Sequence, residues 1–328
     1  MQKCARCLVY KINRDNDAHE AVLNNGAYFE LKEWHFRGQL HREDGPAVVY
    51  AYGHQSWFFH GQKHRVDGPA VVRPNGDQEW FFENKLHRED GPAVVLANGD
   101  QFWYFHGQKH RVDGPAVILI SVRQEWYLNG QKHRENGPAV VKANGDQEWW
   151  LHDKLHREDD PAIVRANGDQ EWHLNDQKHR EDGPAVVKAN GYQSWWLHDK
   201  RYREDGPAIV HANGDQEWYF RNERHRENGP AIVKANGDQM WYFRGELHRE
   251  NGPAVVHANG DQEWFLKGKK VSKWIFTEFS NFRIDTCPVC YEETNCIQFT
   301  SCKHGICTDC FVHLSEMCCI CKVEIRLE

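Results

Sequence analysis

Apolar residues along most of this chain arrive in two short bursts per cycle. Ala followed by two Val or Ile residues stands after each of ten prolines, at 46, 69, 92, 115, 138, 161, 184, 207, 230 and 253, and Trp returns eleven residues after each of them. Every interval is 23 residues, and an unbroken period of that size marks an array of stacked units. One unit reads His-Arg-Glu-Asp/Asn-Gly-Pro-Ala-Val-Val, then a polar stretch through Asn-Gly-Asp-Gln-Glu, then Trp-aromatic-Leu/Phe and a second turn. Bursts this short, β-branched or aromatic and bounded by turn formers, predict strands.

Each unit parses as a β-hairpin. Pro-Ala-Val-Val opens one strand, since proline is tolerated at a strand's first residue. Asn-Gly pairs such as Asn98-Gly99 and Asn144-Gly145 make the turn, because both residues tolerate positive φ. Gln-Glu-Trp-aromatic-Leu/Phe is the return strand, and His-Arg-Glu-Asp-Gly is the joint to the next unit. Asp160 stands where the other joints have glycine, and should strain its own. Alternation along the return strand puts the Trp and Leu/Phe columns on one face, as an apolar spine. It turns the aromatic between them the other way, so Phe58, Phe81, Tyr104, Tyr127, Trp150, Trp196, Tyr219, Tyr242 and Phe265 form the better recognition surface.

Histidine recurs at the joint in nine of ten units, beginning with His41, His64 and His87. Copies about 10 Å apart cannot share a zinc whose ligands each sit about 2.1 Å from it, so the column reads as a structural turn ladder.

The formal net charge is −7, and acidic and basic residues balance beyond residue 266, so the excess belongs to the rest of the chain. That balance disfavours nucleic acid and anionic membranes as partners. No run approaches the roughly 18 apolar residues of a membrane span, and the first residues lack the apolar core of a signal peptide. The expected compartment is therefore intracellular and cytoplasmic. The repeats hold no cysteine; nine of the eleven lie after residue 286, and Cys4 and Cys7 form an isolated half-site.

The unit resembles the MORN family, whose repeats carry Asn-Gly turns, aromatics and an NGxxHG signature. Asn129-Gly130-Gln131-Lys132-His133 matches most of that signature, while Arg134 stands at its last glycine. The repeat is similar to divergent MORN-like units of large DNA viruses of amoebae. The resemblance covers about residues 27–270 and implies an extended, mostly β array of about ten hairpins that binds proteins. Residues 1–26 break the period and read as a cap, and 271–284 read as a linker or docking segment.

Residues 285–328 have another character. Cys287, Cys290, Cys302, His304, Cys307, Cys310, Cys318 and Cys321 fall in four close pairs, enough for two tetrahedral Zn²⁺ ions with no open coordination position. In so short a segment metal binding would supply most of the folding free energy. The order of three cysteines, one histidine and four cysteines resembles a RING finger. That resemblance implies a cross-brace, the first and third pairs sharing one zinc and the second and fourth the other. It also implies a ubiquitin ligase without a covalent intermediate, which holds a ubiquitin-loaded conjugating enzyme where a substrate lysine can attack. Contacts to that enzyme and to ubiquitin are implied at Val289, Leu314, Cys319 and Lys322. Three of these depart from the family's commonest residues: Leu314 for Trp, Cys319 for Pro and Lys322 for Arg, whose fork a lysine cannot reproduce. Cys296 falls between ligands and reads as spare.

Two functional expectations follow. In one, the array binds a protein substrate and the zinc domain recruits the conjugating enzyme; in the other, the chain is a non-catalytic scaffold whose zinc domain mediates assembly. A membrane tether, known among MORN proteins, is disfavoured by the acidic balance.

Overall fold

The computed structural model describes residues 31–271 and, as backbone alone, the strands Cys7–Asn13, Ala18–Asn24, Arg283–Thr286, Glu293–Gln298 and Gly305–Cys307. Among these residues every regular element is a strand, and no helix is long and apolar enough to cross a membrane. The chain divides into two compact units, Met1–Ala166 and Asn167–Glu328.

Each 23-residue repeat contributes two short strands to an antiparallel meander. In the first unit Val48–Tyr50 pairs with Gln55–Ser56, which pairs with Val71–Val72, and that with Gln78–Glu79; the alternation runs on to Ile163–Val164. Ahead of it stand three seven-residue strands, Cys7–Asn13, Ala18–Asn24 and Glu30–Phe36, the last pairing with Val48–Tyr50. In the second unit the same alternation runs from Gln170–Glu171 to Gln262–Leu266.

The return strand is not continuous. Gln78–Glu79 belongs to the meander, whereas Phe81–Phe82 pairs with Lys85–Leu86 in a small separate hairpin. Trp80 lies between the two. Its amide donates to the carbonyl of Ala93 in the next repeat at 2.7 Å, and its own carbonyl accepts from His87 at 3.1 Å. With both backbone groups spent on those two bonds, Trp80 leaves the ladder; the same break recurs at each Trp from Trp57 to Trp241, whereas Trp264 stays within the continuous strand Gln262–Leu266.

That bend resets the side-chain alternation and overturns the expected assignment of faces. Val71, Glu79 and Val94 are directly paired and share one face, with Val71 and Val94 buried and the adjoining alanines, 47 to 254, at 0% exposure. The column expected to point outward lies on this inner side: Tyr219 is buried against Ala208 and Ile209, and the Tyr127 hydroxyl reaches Glu125 at 2.9 Å. In the Leu/Phe column expected in the spine, the phenylalanines Phe59, Phe82, Phe105, Phe220 and Phe243 are exposed, between 38% and 47% accessible, while Leu128, Leu151, Leu174 and Leu197 are half-buried and Leu266 is buried.

The turns also exchange roles. At Asn75-Gly76 only the glycine has positive φ, +96°, and Gly76 donates to Arg73 while Arg73 donates to Asp77, the pattern of a three-residue loop closed by a left-handed glycine. The two-residue turn with both central residues left-handed is the second one, as at His60 and Gly61 (φ 47° and 76°). Where that turn lacks glycine, its second residue is Asn or Asp, the types that best tolerate this conformation.

Candidate functional site

The joint is organised by its arginine. In all ten repeats the guanidinium carbon lies 3.9–4.2 Å over the ring of the Trp eight positions earlier, from Arg42 over Trp34 to Arg249 over Trp241. The same group donates through Nη1 to the joint proline's carbonyl, as Arg134 does to Pro138 at 3.0 Å. In several repeats Nε also donates to the joint aspartate, as Arg88 does to Asp90 at 2.8 Å. The fixed eight-residue Trp-to-Arg spacing was the sequence signal for this stack, which pattern reading by alternation does not detect.

The joint glycine serves the stack. A Cβ on Gly114 would stand 2.8 Å from the Arg111 guanidinium carbon, and its φ lies outside the left-handed range. Asp160 occupies the same position without positive φ and accepts from Arg157 Nη2 at 2.7 Å, with Arg157 still 4.1 Å over Trp149. The expected strain is relieved because the added side chain bonds the group it crowds.

Within each unit two polar ladders link neighbouring repeats. At the joint edge the histidine Nδ1 accepts from a turn amide 19 residues on: His60 to His41 at 3.1 Å, His106 to His87 at 3.1 Å, Lys267 to His248 at 3.2 Å. At the opposite edge the aspartate of Asn-Gly-Asp accepts from an amide 20 residues on, as Asp77 does from Ala97 and Asp238 from Ala258, both at 2.8 Å. Burial is the main cause holding His41 and His87 below the ordinary histidine value, with His60 and His106 adding to it. The Ala97 amide is the first cause holding Asp77 low. Asp215 is drawn down to about 2, chiefly by its bond to Lys234.

The aromatic column expected to recognise partners is covered by cations of the preceding repeat. Lys63 lies 4.9 Å from the centre of the Phe81 ring, Lys109 4.8 Å from Tyr127 and Lys132 4.6 Å from Trp150. The open surface is instead the joint edge, where the exposed Phe column alternates with the histidines: Phe59 to His64 5.9 Å, His64 to Phe82 4.6 Å, Phe82 to His87 5.8 Å. Clefts open there between consecutive joints. One of about 580 Å³ lies between His179–Gly183 and Tyr202–Asp205, and one of about 640 Å³ between His225–Gly229 and His248–Asn251. Among the described residues no group of three or more His, Cys, Asp or Glu is arranged to hold a metal.

Of the tail's residues, Cys287, Cys290, Cys302, His304, Cys310, Cys318, Cys321, Val289, Leu314, Cys319 and Lys322 lie outside the described residues. The backbone around them forms a three-stranded antiparallel sheet. Arg283–Thr286 pairs with Glu293–Gln298, Thr286 opposite Glu293, and Gly305–Cys307 pairs on the other side, Gln298 opposite Gly305 and Cys296 opposite Cys307.

No protein-family model matches this chain, and no curated protein matches it.

Proposed function

We propose that the chain is a RING-type ubiquitin ligase whose MORN-like array binds a protein substrate and whose C-terminal zinc domain receives the ubiquitin-loaded conjugating enzyme. The observation that carries this reading is the eight-ligand spacing from Cys287 to Cys321. Seven thiols and one imidazole suit Zn²⁺, and the two ions would act by holding loops, with no open position for hydrolysis. The array supports the binding half of the reading, because the repeats of the second unit expose aromatic rings and clefts between consecutive joints.

The test is self-ubiquitination of the purified full chain with zinc and a panel of conjugating enzymes. Chains are expected with at least one enzyme, and Val289→Asp with Leu314→Asp should abolish them while the array keeps its fold. No chains from any enzyme would leave the scaffold reading in possession, with the zinc domain serving assembly alone.

A further inference from the structure

The two clefts in the second unit have the same construction and different charge, one acidic and one balanced. Each is floored by a Trp and a residue of the Leu/Phe column, Trp195 with Leu197 in one and Trp241 with Phe243 in the other. The rim of the first carries Glu181, Asp182, Glu204 and Asp205, all exposed, against two guanidiniums. Both guanidiniums are engaged, Arg180 over Trp172, on the Pro184 carbonyl and through Nε on Asp182 at 2.9 Å, and Arg203 over Trp195 and on the Pro207 carbonyl, which leaves two carboxylates in excess by charge. The rim of the second has asparagine at both aspartate positions, Asn228 and Asn251, so its two carboxylates only match its two guanidiniums.

We infer that the joint-edge groove at residues 179–206 is the substrate-docking site, and that its occupant is an extended protein segment bearing lysine or arginine at every third residue. Charge decides the occupant: an apolar floor beneath surplus carboxylates suits a side chain with a methylene stem and a cationic head. Spacing decides the interval. Consecutive joints are two strands apart, about 9.6 Å, and every third residue of a polyproline-type helix advances about 9.3 Å on one side. This assignment rests on the reading of the array as the substrate-binding half of a ligase.

The test is fluorescence anisotropy of a labelled peptide of three Lys-Pro-Pro triplets with the full-length protein, beside a Glu-Pro-Pro control. The wild type should bind the lysine peptide alone, more weakly as salt rises. Asp182→Asn with Asp205→Asn should weaken binding about fivefold or more, because both removed charges sit on the rim the lysine heads would reach. The fold accepts asparagine there, as Asn136, Asn228 and Asn251 already occupy that place. The reciprocal Asn228→Asp with Asn251→Asp should strengthen binding by a similar factor. Equal binding of both peptides, or no response to either variant, overturns the assignment. So does an oligomer of the free protein that D182N/D205N dissolves, since a second copy would then be the occupant. Self-ubiquitination of the same preparations separates the two ideas: transfer without lysine-peptide binding sinks the groove and spares the ligase. Lysine-peptide binding without transfer does the reverse.

Discussion

The Arg111 guanidinium lies 4.1 Å over the Trp103 ring and closes the joint by donating to the Pro115 carbonyl at 3.3 Å. One flat cation thus holds together the bend at Trp and the start of the following strand. Arg111→Lys keeps the charge but loses the planar stack and the directed donor, and should cost about 1–2 kcal/mol in urea unfolding. Stability in an array is approximately a sum over neighbours, so Arg134→Lys should cost a similar amount. A loss under about 0.3 kcal/mol at both sites would show the stack to be ornamental.

Gly114 is selected by the proximity of Arg111 and not by its own φ. Gly114→Ala should therefore destabilise by about 1–2 kcal/mol, the usual scale of overpacking. Gly114→Asp should cost less than alanine despite its larger side chain, following the Asp160–Arg157 bond. Thermal melts of the two variants decide the order.

Acid should loosen the array in two stages. His87 is held below 6.5 by burial first and His106 second, with Glu89 opposing; His248 is held low by burial, with Glu250 opposing. Each ring accepts at Nδ1 and must stay neutral to do so. The unfolded chain therefore takes up these protons first. Their contribution is whole above about pH 6.5 and shrinks as pH falls through the lowered native values. Asp77, Asp146 and Asp238 are held below 3.8, chiefly by amides of the next repeat, so their contribution persists until pH falls below that value. Urea midpoints between pH 7.5 and 3 should show a shallow decline from about 6.5 and a steeper one below about 4. A flat profile down to pH 4.5 would contradict the histidine ladder.

Removing one rung should be a local injury. His87→Phe leaves the His106 amide without its acceptor and should cost about 1–2 kcal/mol. Tyr202 already stands at this position in one repeat, so the fold survives the loss. Hydrogen exchange should quicken at His106 and change little two repeats away.

Purified full-length protein is expected to carry two equivalents of zinc. A strong chelator should abolish any ubiquitin transfer while leaving the far-ultraviolet β signal of the array, whose described residues use no metal in their bonding. Far fewer than two equivalents by elemental analysis would remove the basis of the ligase proposal.

Part of this was legible in the residues alone. Pro46-Ala47-Val48 and its copies announce a strand start, and their spacing announces the array. The break at Trp80 was not legible, because Gln78-Glu79-Trp80-Phe81-Phe82 reads as one strand. What bends it is the Ala93 carbonyl, thirteen residues on and in the following repeat. The same non-locality hid the roles of His41 and Asp77, whose partners are 19 and 20 residues away. Periodicity within a strand cannot carry that information. The proposed zinc ligands, Cys287 to Cys321, are read from spacing alone.

The bonds between repeats reach across 19 to 21 residues, less than one period. Excising a block of 23 residues within one unit deletes one set of these bonds and brings together neighbours that can remake the same bonds wherever both carry the bonding residues. The number of repeats can therefore change by whole blocks through gene duplication without any new kind of contact between neighbours.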